Sequence, residues 1–159
     1  MTDSLSNSAQ RVQKALSAHG LDYCVVEMTA TTRTAKDAAT AIGCSVNQIA
    51  KSLVFRTQHS ARPILVIASG VNRVNEQQIG KILTEPIEKP DADYVLQSTG
   101  FAIGGVPPLG HSTAIETLID ADLMKLEVIW AAAGTPNAVF RLSPQDLQKL
   151  TNGRVVQIT

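Results

Sequence analysis

Two places in the chain combine residue types that can do chemistry. The first is Lys51, at the mouth of the apolar run Leu53-Val54-Phe55. An ammonium there costs desolvation unless it reaches water or an anion. Two roles fit it: a strand-end lysine that snorkels to solvent, or a fixed cation for a substrate phosphate or carbonyl. The second place is Gly104-Gly105-Val106-Pro107-Pro108. Adjacent glycines let the backbone approach a ligand closely, and their N–H groups can converge on a developing oxyanion. Prolines behind them hold that shape rigid, as pre-organised catalysis requires. A tight structural turn would use the same residues equally well. His111 follows the loop, either as a general base or as an exposed loop imidazole.

Other chemistries find no support. There is no phosphate-binding Walker loop, and Gly100, Gly104 and Gly105 lack the dinucleotide-binding spacing. No serine sits in a G-x-S-x-G elbow. His19, His59 and His111 are widely separated with no carboxylate at ligand spacing, so a metal site is not expected. Cys24 and Cys44 form no CxxC pair and suggest no disulfide framework. They read as small buried apolar side chains in a reduced, cytoplasmic protein.

Composition narrows the field further. A chain of 159 residues is the size of one compact domain and can bury about two-thirds of its surface without disulfides or metal. Charged residues make up 18%, below the usual ~25%, which argues against disorder and against a histone-like nucleic-acid binder. Fourteen basic and fourteen acidic residues cancel, so any contact with nucleic acid must be a local patch or pocket. Residues 1–75 hold eight basic against four acidic residues and the remainder six against ten, and folding is expected to mix the two halves. The N-terminus lacks the basic and apolar regions of a signal peptide, and no apolar run reaches the ~18 residues of a membrane span.

The elements that must position these residues are marked by local signals. After a polar lead-in over residues 1–8, Val12, Ala15 and Leu16 share a helical face that Gly20 ends. Residues 23–26 read as a strand. Thr34 and Asp37 open an Ala-rich helix ending near Gly43, and Ser45 starts a short turn. Lys51–Arg56 and Ile64–Ala68 read as a hairpin. Asn75 and Asp91 cap two further helices, stopped before Pro86 and at Gly100. Apolar runs over 114–119, 128–133 and 138–142 follow. A proline-started helix over 143–150 and a strand over 155–158 end the chain. Hairpins are expected to dominate the second half, which favours a mixed α+β sheet over a doubly wound parallel one.

Three segments, in this order, carry a resemblance: Ile49-Ala50-Lys51-Ser52-Leu53-Val54-Phe55, Gly104-Gly105-Val106-Pro107-Pro108-Leu109-Gly110-His111, and Ala132-Ala133-Gly134-Thr135-Pro136-Asn137. With the helix at Ser143–Leu150 they resemble the YbaK/EbsC family of aminoacyl-tRNA deacylases. The same domain is the editing insertion of bacterial prolyl-tRNA synthetases. The resemblance runs from about Arg11 to the C-terminus. It implies one α+β domain whose curved, barrel-like mixed β-sheet is flanked by helices. It also implies hydrolysis of the ester joining a wrong amino acid to a tRNA 3′ end, with no metal or organic cofactor.

Residue by residue, the resemblance makes Lys51, Gly104 and Gly105 the catalytic candidates. Lys51 would anchor the 3′-terminal nucleotide and the glycine N–H groups would hold the oxyanion. Some family members let the substrate's own side chain or ribose hydroxyl assist, which suits a chain without a convincing nucleophile. The substrate pocket is expected from Thr29 within the 27–32 segment, Leu53, Ser69, Val106, Pro107 and His111. Residues 28–33 carry no aromatic side chain, which speaks against a cysteinyl-specific pocket. Alanine, serine, threonine or a non-standard amino acid remain. The expected partners are the aminoacyl-tRNA acceptor end, gripped by Arg33, Lys36, Arg56 and Arg73, and an aminoacyl-tRNA synthetase. Two alternatives compete: a non-catalytic module binding a tRNA end, nucleotide or synthetase, and a hydrolase of small nucleotide-linked esters.

Overall fold

In a computed structural model, which describes residues 5–159, one mixed sheet carries every strand. The elements run α1 (Asn7–Ala18), β1 (Val26–Glu27), α2 (Ala35–Ile42), β2 (Ile49–Thr57), β3 (Pro63–Ser69), α3 (Glu76–Leu83), β4 (Ile87–Glu88), α4 (Ala92–Thr99), β5 (Glu116–Asp120), β6 (Ile129–Ala132), β7 (Ala138–Leu142), α5 (Pro144–Thr151) and β8 (Arg154–Val156). Short 3-10 turns occupy Val46–Gln48 and Ala121–Lys125. The α+β class is as expected. The sheet is curved but not closed, with β1 and β8 at opposite ends of the order β1-β7-β6-β2-β3-β5-β8.

The helix starts follow their capping side chains. Ser6, Thr34, Asn75, Asp91 and Ser143 each accept a hydrogen bond from a backbone N–H in the first turn of the helix that follows. Helix α1 begins at Asn7, inside the expected polar lead-in, whose residues 1–4 lie outside the described residues. The central strand β3 is buried on both faces, and its side chains alternate between two cores. Leu65 and Ile67 pack with Val12 and Leu16 of α1, whereas Ile64, Val66 and Ala68 pack with Ile79 and Leu83 of α3.

Four expectations need correction. The strand at 23–26 shrinks to Val26–Glu27, because the side chain of Gln13 takes the backbone that a ladder would use: Val25 N–H donates to Oε1 (2.8 Å) and Nε2 donates to Tyr23 C=O (3.0 Å). Cys24 is exposed there rather than buried, while Cys44 is half-buried. Hairpins do not dominate the second half. Strands β6 and β7 form one, but β5 joins β3 in parallel and β8 joins β5 in parallel. The last strand ends at Val156 because the Ile158 C=O turns away to accept from Asn75 N–H (2.7 Å).

One irregularity matters for function. On one side β2 pairs along most of its length with β3. On the other it meets β6 only at Ile49 and Ala50, and β4 only at Arg56 and Thr57. The Thr57 N–H donates to Arg62 C=O within the β2–β3 hairpin, and the Gln58 N–H donates to Pro86 C=O, across the opposite edge. Odd-numbered residues of β2 therefore turn their backbone groups to β3, and even-numbered ones to the side of β6 and β4. The N–H and C=O groups of Ser52 and Val54 point into the gap between those two short strands.

Candidate active site

A cleft of about 620 Å³ lies over that gap, within the usual range for small-ligand sites. It wraps around the open edge of β2, so residues from both faces of the strand reach it. Lys51 is paired with Ala68 and shares the α3 face; Ser52 is paired with Ile67 and shares the α1 face. Both line the cleft, as do Leu53, Gly104 and Val106. Apolar walls come from Ile49, Trp130, Ala131 and Val139.

The cleft is electropositive. Arg33, Lys51, Arg73 and Lys89 line it against a single acid, Glu76, and none of the four cations makes an ion pair among the described residues. Burial pushes the Lys51 ammonium below the ordinary lysine value, the Arg73 guanidinium pushes it further down, and the Asp120 carboxylate pulls it partly back. Asp120 is 2% exposed. Its carboxylate accepts from Ser69 N–H (3.0 Å), Asn72 Nδ2 (2.8 Å) and Asp122 N–H (2.9 Å). These bonds fix the segment that carries Arg73 beside Lys51.

The glycine loop is held from behind by the turn between β6 and β7. Gly134 N–H donates to Gly105 C=O (2.9 Å). The same turn accepts Met28 N–H at Asn137 C=O (2.7 Å) and Thr32 N–H at Pro136 C=O (2.6 Å). The Gly134–Asn137 segment thus ties residues 28–32 and the glycine loop to one anchor. Gly105 is needed for this packing, since a Cβ there would stand 2.7 Å from the Thr135 backbone.

The two glycines consequently differ. The Gly105 N–H closes a turn onto Ala102 C=O (3.2 Å), and Gly105 is not among the cleft-lining residues. Gly104 lines the cleft with φ at +95°, and no hydrogen bond among the described residues takes its N–H. Of the expected pocket residues, Leu53 and Val106 line the cleft and four do not. Thr29 is exposed and does not line the cleft, whereas Thr32 of the same segment does. Ser69 is 1% exposed, its hydroxyl donating to Asn47 C=O (2.8 Å). Pro107 is buried, and its C=O bonds His111 Nε2 (2.6 Å). His111 packs edge-on to Phe101 behind the loop, and burial holds its pKa below the usual imidazole value.

Of the expected basic grip, Arg33 and Arg73 line the cleft, while Arg56 pairs with Glu88 (2.9 Å) and stacks over Tyr94. Lys36 lies exposed on α2. Sequence reasoning missed Lys89, Ser52 and the Trp130 wall, which only the split of the sheet at β2 brings together. Among the described residues, no group of three or more His, Cys, Asp or Glu could hold a metal ion, and no helix is long and apolar enough to cross a membrane.

Comparison with known proteins adds the family. The aminoacyl-tRNA editing domain family matches residues 29–150. YwhH of Bacillus subtilis, an uncharacterized protein, is 30% identical over 82% of this chain and 83% of its own. EbsC of Enterococcus faecalis, named as a proposed Cys-tRNA(Pro)/Cys-tRNA(Cys) deacylase, is 23% identical over 79% of this chain and 76% of its own. A solved structure described as a proposed trans-editing enzyme for prolyl-tRNA synthetase superposes with a TM-score of 0.93 at 44% identity, covering 98% of this chain and 99% of that one.

Proposed function

The chain belongs to the aminoacyl-tRNA editing domain family of the YbaK/EbsC type, and on that premise we propose that it is a trans-editing hydrolase that cleaves the aminoacyl ester of a mischarged tRNA. The observation that carries the reading is the meeting of Lys51 and Gly104 in one cleft with Arg33, Arg73 and Lys89. Phosphates of the tRNA 3′ end need such cations, and the ester needs a backbone donor beside them.

In this reading Lys51, with Arg33 and Arg73, holds the terminal phosphate and fixes the ester over β2. Water attacks the ester carbonyl, and the oxyanion that forms is met by the Gly104 N–H. The bond from the carbonyl carbon to the ribose oxygen then breaks. That oxygen leaves with a proton, and the amino acid is released as its carboxylate. A well-aimed backbone donor contributes about 3–4 kcal/mol to such a step. The cleft offers no histidine or cysteine, and its one carboxylate is Glu76. The water is therefore activated by the substrate itself, through its ribose hydroxyl or amino-acid side chain. His111 acts as a brace for the loop through Pro107.

The likeness to a proposed trans-editing enzyme for prolyl-tRNA synthetase supports action beside a synthetase. The test is a deacylation screen with tRNAs carrying alanine, serine, threonine, cysteine or proline, each against spontaneous hydrolysis. Accelerated loss of at least one is expected. Binding of tRNA with no accelerated loss would replace the hydrolase by a binding module. Hydrolysis of small nucleotide-linked esters with charged tRNA left intact would move the substrate away from tRNA.

A further inference from the structure

Arg33 is fixed at its backbone and unpaired at its tip. On one side Thr32 is tied to the β6–β7 turn, its N–H (2.6 Å) and its hydroxyl (3.0 Å) both donating to Pro136 C=O. On the other, the Thr34 hydroxyl caps α2 by accepting from Asp37 N–H (3.0 Å). From this pinned segment the Arg33 side chain crosses to the glycine loop. A Cβ on Gly104 would stand 3.1 Å from Arg33 Cγ, 3.2 Å from Nε and 3.5 Å from Cδ, so the arginine stem occupies the slot that the missing side chain leaves. Arg33 is exposed and lines the cleft, yet its guanidinium makes no ion pair and no hydrogen bond among the described residues.

These contacts close a ring around the glycine loop. The β6–β7 turn backs Gly105 at Thr135 and holds Thr32 through Pro136, and Arg33 returns from Thr32 to the front of Gly104. Every link but one is a hydrogen bond or backbone packing. The exception is the arginine stem, a long flexible chain with nothing holding its far end. Fixing such a side chain costs about 2 kcal/mol of rotamer entropy, so an anion that takes the guanidinium is what completes the ring. A phosphate suits the planar fork, which can give it two parallel N–H···O bonds.

Resting on the hydrolase reading above, we propose that Arg33 is a positioning residue for the reacting centre: when its guanidinium binds the terminal phosphate of the tRNA 3′ end, its stem is locked across Gly104 and holds the Gly104 N–H in place for the oxyanion. Contact with a part of the substrate that does not react then sets the geometry where it does. Such coupling raises the rate of the chemical step, not affinity alone. Arg73 acts differently. The atoms nearest the Gly104 slot all belong to Arg33, so a phosphate held by Arg73 leaves the loop untouched.

The experiment uses the charged tRNA whose ester the wild type removes fastest, with the phosphate before the terminal nucleotide either intact or replaced by a neutral methylphosphonate. Single-turnover rates at saturating protein report the chemical step, and half-saturating concentrations report binding. The wild type is expected to lose about tenfold or more in saturated rate when the charge is removed. In Arg33→Ala the ratio of the two saturated rates should fall towards one, whereas Arg73→Ala should weaken binding and keep the ratio. A wild type whose binding weakens with the neutral linkage but whose saturated rate is unchanged overturns the proposal, whatever the stability of the variants. An Arg33→Ala variant that keeps the full wild-type ratio overturns it as well. Accelerated loss of no charged tRNA overturns the hydrolase reading beneath it, an outcome separate from a missing phosphate effect.

Discussion

Lys51 sits where a cation is costly, and the cost is informative. Its folded pKa lies below the 10.5 of a free lysine, so the unfolded chain holds the proton more tightly. The resulting loss of stability is in force below the folded pKa and is relieved as pH rises towards the unfolded value. Lys51→Met should therefore raise the melting temperature near neutral pH by about 1–3 °C while removing deacylation. A fall in melting temperature would show that Lys51 stabilises the cleft. The same lowered pKa predicts that activity declines on the alkaline side earlier than an ordinary lysine would allow. Lys51→Arg, if it retains activity, should move that limb upward. Lys51 and the Gly104-Gly105 loop stood out as candidates from residue type and neighbours, each beside an ordinary structural reading, and the family resemblance favoured them. Ser52 did not, because nothing local distinguishes a strand serine that lines a cleft from one facing water.

At the scale of elements, the glycine loop works only as part of a three-way junction with the 28–32 segment and the β6–β7 turn. Gly105→Ala would drive a methyl into the Thr135 backbone. It should cost about 1–3 kcal/mol and weaken activity through displacement of the loop, measurable as a denaturation shift. An unchanged midpoint would mean that the junction yields easily. A second junction ties the β2–β3 turn to the end of α3. Glu85 accepts from the backbone N–H of Ser60 (2.9 Å) and His59 (3.1 Å) and from the Ser60 hydroxyl (2.8 Å), which lowers its pKa from 4.5 to about 2. That tie is intact above the unfolded value and is lost as pH falls through about 2. Protection of the His59 and Ser60 amides, measured relative to their intrinsic exchange rates, should fall over that window in the wild type, and Glu85→Gln should remove that change in protection.

Helix starts were legible because a cap is a local event of three or four residues, as at Thr34 and Ser143. Strand partners were not. The parallel joining of β5 to β3 and of β8 to β5 is decided by which faces two cores must cover. The two-residue β4 carries no pattern of its own. The opening between β6 and β4 follows from those pairings, so the cleft could be inferred only through its end products, a lysine and a glycine loop. His111 and Ser69 looked like binding residues by position, but the fold uses their polar groups internally.

On the scale of the whole molecule, a net charge of zero coexists with a cleft holding four cations and one acid. The basic excess of the first half is not averaged away, since Arg33, Lys51 and Arg73 converge there. Binding of a tRNA 3′ end should therefore be weak and salt-sensitive through few contacts. We expect log K against log salt to slope between about −1.5 and −3, at roughly −0.7 per phosphate of a single strand. Arg73→Ala should lessen the slope by nearly one such contact, whereas Arg56→Ala, already paired with Glu88, should change it little. A steeper slope would mean a broader nucleic-acid surface than the cleft.

The most direct test of the central claim is single-turnover deacylation by the wild type and by Lys51→Ala, using the tRNA ester that the wild type removes fastest. If Lys51 anchors the terminal nucleotide in the cleft, the variant should lose about a hundredfold or more in rate while keeping its cooperative unfolding. A folded Lys51→Ala variant that removes the ester as fast as the wild type would contradict the account and place the chemistry outside this cleft.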